Sequence, residues 1–276
     1  MGELIDGDDG LIAEEVGEWA KEKHDYLCRY VDISRGVRGK WTKPGAAGAT
    51  YIDLFCGPGR CRVRESGEWI DGGAIAAWKK SVDGGAPFTN VYIADIDKAR
   101  RTAAATRLHG CGAPVVEIEG AAEEAARRVV AGLNPKGLHF AFLDPYSLEA
   151  LSFGIIEALS GLDRIDMLIH INQMDLQRNL VSHAVAEESA FDVFAPGWRT
   201  VVSIAQGHRA IREQVLRYWR DKVGRLGVWP SPEMKLIRGG NSQPLYWLLL
   251  AAKHKLPQEF WRAASRADRQ RGLWDE

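Results

Sequence analysis

The chain has 276 residues, 46% hydrophobic and 26% charged, which places it among globular proteins and excludes collagen, coiled coil and disorder. Lys and Arg number 36 against 37 Asp and Glu, and the resulting charge of −1 argues against a protein that lives by non-specific binding to nucleic acid or membrane. No apolar run reaches the roughly 18 residues of a membrane span, the acidic opening lacks a signal-peptide pattern, and four cysteines without a Cys-x-x-Cys pair give neither a zinc site nor a disulfide framework. A cytoplasmic location without membrane attachment is the expectation.

In chain order, Ile12, Val16, Trp19, Leu27 and Val31 follow helical spacing and predict an amphipathic helix over residues 11–31. Residues 38–50, rich in Gly, Lys and Pro, read as a loop. An alternation then begins. Apolar runs at 49–55, 90–94, 114–118, 138–143 and 165–171 predict strands. The first four lead into predicted helices at 72–82, 97–109, 121–131 and 152–159. Strands alternating with helices at this spacing imply a parallel sheet covered on both faces, and runs that are apolar throughout fit strands buried on both sides. A helix is predicted over 208–223. After it, Met234–Arg238, a turn at 239–242 and Pro244–Leu250 read as a strand pair. Residues 181–207 receive no assignment. The expected architecture is α/β: a Rossmann-like, mostly parallel seven-stranded sheet with a C-terminal antiparallel hairpin. It would form one domain over 1–276, with 1–48 as a helical N-terminal extension and about 175–230 as a helical insertion.

Three segments carry candidate chemistry, each at the carboxyl end of a predicted strand, where open α/β sheets bind ligands. In Asp53-Leu54-Phe55-Cys56-Gly57-Pro58-Gly59-Arg60, the glycines permit a tight turn and close approach of backbone to ligand, and Asp53 can accept from a cationic amino group. Position 62 is Arg, so the pattern lacks the third glycine of a pyrophosphate cradle. Asp95 ends the second strand, where nucleoside-binding folds hold ribose hydroxyls, and Asp97 reads as a helix cap. Asp144-Pro145-Tyr146 ends the fourth, with a carboxylate to accept from a substrate amine and a ring for stacking. Asp53, Asp95 and Asp144 are expected to converge at one rim. Cys56 reads as a small filler and His170 as a core histidine. Arg60, Arg62 and Arg64, like Arg262, Arg266, Arg269 and Arg271, have a solvated face as their plain alternative.

These segments resemble class I S-adenosylmethionine-dependent methyltransferases. With Trp19, Lys23, Tyr30 and Trp41 near the start and Tyr246-Trp-Leu-Leu-Leu-Ala-Ala-Lys-His near the end, the chain resembles more narrowly the three-Cys-motif partner protein family. The resemblance implies a methyltransferase-like fold, S-adenosylmethionine as cofactor, and a separate three-cysteine-motif protein as partner, with nucleic acid as a further candidate. It implies that Asp53, Phe55, Cys56, Gly57, Gly59, Asp95, Ile96 and Glu119 surround the cofactor. Asp144 and Tyr146 would be catalytic, and Arg60, Pro145 and Asn172 would meet the substrate. Three departures matter, the first being Cys56 where a small residue such as Ala is more usual. A single Pro precedes Tyr146 where many amino-methylating enzymes have two, and Ala121 stands where an Asp beside the adenine is usual. The expected function is a methyltransferase acting on nucleic acid or a protein partner; the alternative is a non-catalytic, nucleotide-binding or scaffold partner protein.

Overall fold

The computed structural model describes residues 2–178, 189–203, 205 and 207–266. Two short antiparallel strands come first, β1 (Leu4–Asp6) and β2 (Ile12–Val16), then helices α1 (Trp19–Ile33) and α2 (Arg35–Trp41). Next are β3 (Ala49–Asp53), β4 (Arg60–Val63), β5 (Trp69–Asp71), α3 (Gly73–Asp83), β6 (Asn90–Ala94) and α4 (Lys98–Gly110). The series continues with β7 (Val115–Ile118), α5 (Ala122–Gly132), β8 (Leu138–Leu143), α6 (Phe153–Ser160), β9 (Ile165–Asn172) and α7 (Gln173–Arg178). Last come α8 (Ala190–Phe194), α9 (His208–Arg225), β10 (Trp229–Arg238), β11 (Pro244–Ala252) and α10 (Lys255–Arg266).

The main sheet has seven strands in the order β10-β11-β9-β8-β3-β6-β7. Strands β3, β6, β7, β8 and β9 pair in parallel, while β11 runs antiparallel to both β9 and β10. This is the expected seven-stranded, mostly parallel sheet closed by an antiparallel C-terminal hairpin, the class I methyltransferase fold. The chain moves outward from β3 through β6 to β7, then returns to the other side of β3 for β8. The strand order therefore reverses between β3 and β8, and the carboxyl ends of those strands flank a crevice.

Burial explains the continuous apolar runs. All five residues of β3 are buried. Their side chains alternate, so that Tyr51 packs with α1, α3 and α10 through Leu27, Trp78 and Trp261. Ile52 faces the opposite layer with Val129, Ile155 and Trp219 from α5, α6 and α9. Burying one such large side chain stabilises by about 1.5–3 kcal/mol, so both faces must be covered. No helix among the described residues is long and apolar enough to cross a membrane.

The start of the chain corrects one expectation. Residues 12–16 form strand β2, not the first turns of a helix, and α1 begins at Trp19. Strand β2 pairs in parallel with β4, with Glu14 opposite Cys61 and Val16 opposite Val63. A second, four-stranded sheet results, in the order β1-β2-β4-β5. The charged stretch after the glycine turn, for which the sequence predicts no element, thus contributes strand β4. Helix α2 likewise occupies the front of the segment read as a loop from residue 38. Arg269 and Arg271 lie outside the described residues.

Candidate functional site

A cavity of about 770 Å³ opens at the carboxyl ends of β3, β6, β8 and β9. That volume is within the range of small-molecule sites. Of the residues expected there, Asp53, Phe55, Cys56, Gly57, Gly59, Asp95, Ile96, Asp144, Pro145, Tyr146 and Asn172 line its wall. Glu119 and Arg60 are not part of the wall. Glu119 is a largely exposed carboxylate whose Oε1 lies 3.0 Å from Arg101. Arg60 is drawn between Asp8 at 2.6 Å and Asp71 at 3.1 Å, which ties the two ends of the small sheet together. A strand's alternation turned it sideways, since its neighbour Cys61 is the residue that faces the cavity.

The first subsite is built by the turn after β3. Gly57 and Gly59 have φ of +56° and +82°, where an L side chain is strained. At Gly59 a Cβ would also stand 2.5 Å from Ile75 Cδ1 and 3.2 Å from the Ala104 backbone. The Gly59 carbonyl accepts from Gly72 N–H at 2.8 Å, which fixes the loop on the start of α3. Asp95 braces the same turn: its Oδ2 accepts from Gly57 N–H at 3.1 Å and its Oδ1 from Asp97 N–H at 2.9 Å. Asp97 caps α4 as expected, accepting from Ala99 and Arg100 N–H.

Asp53 sits beneath this turn and is 2% exposed. Its Oδ1 accepts from Phe55 N–H at 3.0 Å and its Oδ2 from the Tyr51 hydroxyl at 3.4 Å. Burial pushes its carboxyl up to about 7; the Phe55 N–H opposes this, and the negative charges of Asp144 and Asp95 add to it. Burial raises Asp95 as well, against its two backbone donors. Two buried carboxylates with raised affinity for positive charge make this half of the cavity receptive to a cation. Cys56 is buried and its thiol is pushed well above the ordinary range by burial, which leaves no thiolate for nucleophilic work.

The second subsite lies at the end of β8. Here Asp144 is flanked by Lys23, which the sequence does not place at the site, and by His170, which the sequence places at the end of the fifth strand near the pocket but reads as a core histidine. Lys23, from α1, forms an ion pair with its Oδ2, and His170 Nδ1, from β9, lies 2.6 Å from its Oδ1. Burial would raise Asp144, but the Lys23 ammonium and the His170 hydrogen bond outweigh it and hold the carboxyl well below the usual range. His170 is shifted down by burial in spite of Asp144, so the imidazole is neutral near pH 7 and donates its Nδ1 proton to the carboxylate. Its ring packs on Tyr246 with centroids 3.9 Å apart. An Asp held ionised in this way is a weak base, so it can orient groups but not remove protons. Asn172 Nδ2 donates to the Tyr146 carbonyl at 3.4 Å, which steadies the Pro145 turn while the Tyr146 ring stands 55% exposed at the mouth.

The N-terminal strands close one side of the site. Glu14 lines the cavity and pairs with Arg100 at 2.9 Å. Arg107, buried on α4, donates to Asp9 at 2.6 and 2.7 Å, to the Ile12 carbonyl at 2.8 Å and to the Pro58 carbonyl. One guanidinium thereby ties residues 9–12 to the glycine turn. Lys23 and Glu14 have no local signal for such a role, because each reaches the site from a distant part of the chain, whereas His170 is marked by its place near the end of β9.

No family model and no curated protein matches the sequence. Solved structures that resemble it include protein LPL1258 from Legionella pneumophila, at 10% identity over 86% of this chain and 88% of that one, TM-score 0.48. A protein from Klebsiella pneumoniae described as an O-methyltransferase is 13% identical over 85% and 81%, TM-score 0.46. A complex of the Haloferax volcanii Trm112 methyltransferase activator with a methyltransferase gives 10% over 86% and 96%, TM-score 0.39. With TM-scores below 0.5 these likenesses add nothing to the argument, and the strand order given above carries the fold.

Proposed function

We propose that this protein is an S-adenosylmethionine-dependent methyltransferase whose acceptor is presented by nucleic acid or by a protein partner, with a three-cysteine-motif protein as its associate. The supporting observation is the convergence of Asp53, Asp95 and the Gly57–Gly59 turn on one cavity at the point where strand order reverses. The residues fit the cofactor chemically. Asp95, with each oxygen holding a backbone donor and further lone pairs free, accepts ribose hydroxyls. Asp53 receives the ammonium of the amino-acid end, and the strained glycine turn lets backbone N–H groups approach its carboxylate. The exposed Ile96 offers an apolar face for the adenine.

The sulfonium supplies an already activated methyl group, so the protein contributes binding, orientation and exclusion of water. Asp144 and Tyr146 hold the acceptor side: Asp144 fixes the ammonium of Lys23, and Tyr146 packs against the incoming group. A second reading, a nucleotide-binding or scaffold protein without turnover, is favoured by Ala121 at the adenine edge and by an Asp144 already engaged by its own chain.

Thermal unfolding with S-adenosylhomocysteine tests the proposal. At 100-fold above Kd, native-state binding adds about 2.7 kcal/mol, or roughly 5–11 °C in melting temperature for a chain of this size. That shift is expected in the wild type and absent in Asp95→Ala. A flat response at millimolar ligand contradicts the proposal. A shift without any methyl transfer to nucleic acid or partner protein favours the scaffold reading.

A further inference from the structure

A carboxylate at the end of β8 is a natural grip for an acceptor amine, yet here the chain fills it from within. Both Asp144 oxygens have partners, Lys23 Nζ on one and His170 Nδ1 on the other. What this wall offers the cavity is therefore the ammonium. Lys23 lines the cavity with its side chain 14% exposed. Its three N–H donors meet one carboxylate, and the face of Tyr246 lies 5.9 Å away. An ammonium with spare donors in a secluded wall favours a partner that is both negatively charged and a hydrogen-bond acceptor. Flat side chains stand along the same cavity, Trp19, Phe55 and Tyr146, and His24 beside Lys23 is kept neutral by burial and by that ammonium.

We infer that the acceptor subsite takes an oxyanion carried on a planar ring, with Lys23 as its positioning residue, in place of an exocyclic amine. The inference rests on the methyltransferase reading above and names its acceptor class. Lys23 favours the ionised form of an acidic hydroxyl, so the proton leaves to solvent on binding and no general base is needed. Transfer then forms the O–C bond and breaks the S–C bond, and the electron pair stays on sulfur as a neutral thioether. Asp144 fixes the ammonium, and His170 fixes Asp144.

The test uses the full chain saturated with S-adenosylhomocysteine and 4-nitrophenol, whose colour reports its ionisation. The bound probe is expected to be the phenolate, with an apparent pKa about one unit below that of the free phenol, a tenfold preference for the anion. Lys23→Met should weaken probe binding at least tenfold while S-adenosylhomocysteine still binds. Because that change leaves the Asp144 charge unpaired, the neutral pair Lys23→Met with Asp144→Asn is the second variant, with retained S-adenosylhomocysteine binding as proof of folding; it should lose the probe equally. 4-Nitrobenzoate forms the other arm. Tighter, Lys23-dependent binding of the benzoate identifies a carboxylate as the oxyanion, and tighter binding of the phenolate identifies a hydroxyl; either supports the inference. Preference for 4-nitroaniline, binding unaffected by both variants, or no binding of either anion overturns it. Failure of S-adenosylhomocysteine itself to bind overturns the methyltransferase reading on which it stands.

Discussion

Asp53 and Asp144 are both buried carboxylates at one rim, and their surroundings drive them in opposite directions. Asp53 has one backbone donor and a distant hydroxyl, so burial dominates and pushes its carboxyl up to about 7. Asp144 has Lys23 and His170, and stays ionised far below that. The folded state therefore holds more protons on Asp53 than the unfolded chain does between about pH 4 and 7, and stability falls as pH rises through that window. Asp53→Asn should remove this loss: its melting temperature relative to the wild type rises from pH 5 to pH 8, by an amount worth at most about 2.7 kcal/mol. Buried Asp166, which accepts from the Tyr30 hydroxyl at 2.9 Å and is also raised to about 7 by burial, acts in the same sense. The loss of Asp144's charge belongs to strongly acid pH and leaves the window untouched. A cationic ligand end beside Asp53 favours the ionised carboxyl, so binding should release a proton near neutrality. Titration calorimetry of S-adenosylhomocysteine in buffers of different ionisation enthalpy is expected to show that release and an affinity that rises from pH 6 to 8. Proton uptake, or an affinity that falls with pH, contradicts the placement of Asp53. The acids themselves were legible in the sequence because each ends a recognisable apolar run. Lys23 is not legible as a site residue, and His170, legible near the pocket, reads only as a core histidine, because their pairing with Asp144 is created by folding across separations of 121 and 26 residues.

Continuous or periodic apolar patterns give β3, β6, β7, β8 and β9 with the helices between them, and again α9 and β11, to within a few residues, while β4 and β5 have no such pattern. The pattern failed where charged residues alternate on a partly exposed strand. Ile12 and Val16 fit a helical period by accident, while Gly10 with φ +79° and the following pairing with β4 impose an extended chain. Burial alone could not have shown this, because β2 is held between β1 and β4, and its β4 partners lie some 47 positions later. Arg107 makes that arrangement a mechanical unit with the glycine turn. Its replacement in Arg107→Ala removes donors to Asp9, Ile12 and Pro58 and should lower the melting temperature by roughly 5–10 °C. Limited proteolysis should then cut residues 2–16 first; cleavage unchanged from the wild type would show that the strap is held by other means. Gly59→Ala combines a left-handed φ, costing about 1–2 kcal/mol, with a methyl group driven against Ile75. It is expected to lose stability and S-adenosylhomocysteine binding together, whereas Gly36→Ala, where a Cβ meets nothing within 4 Å, should leave both unchanged.

At the scale of the molecule, one topological fact organises the rest. The chain starts its main sheet in the middle, at β3, and builds outward first to one edge and then to the other, so three strand ends with acids after them open on a single crevice. The alternation of strands and helices made that crevice predictable, and the carboxylates marked its rim. The second sheet and the α1 lysine, which line the same crevice, depend on contacts that no local pattern encodes. The most direct check is a structure determined with S-adenosylhomocysteine bound. The ribose hydroxyls are expected on Asp95, the amino group beside Asp53, and the sulfur turned toward the Lys23–Asp144 pair. Ligand density away from the ends of β3 and β6, or a crevice that stays empty at saturating ligand, would contradict this.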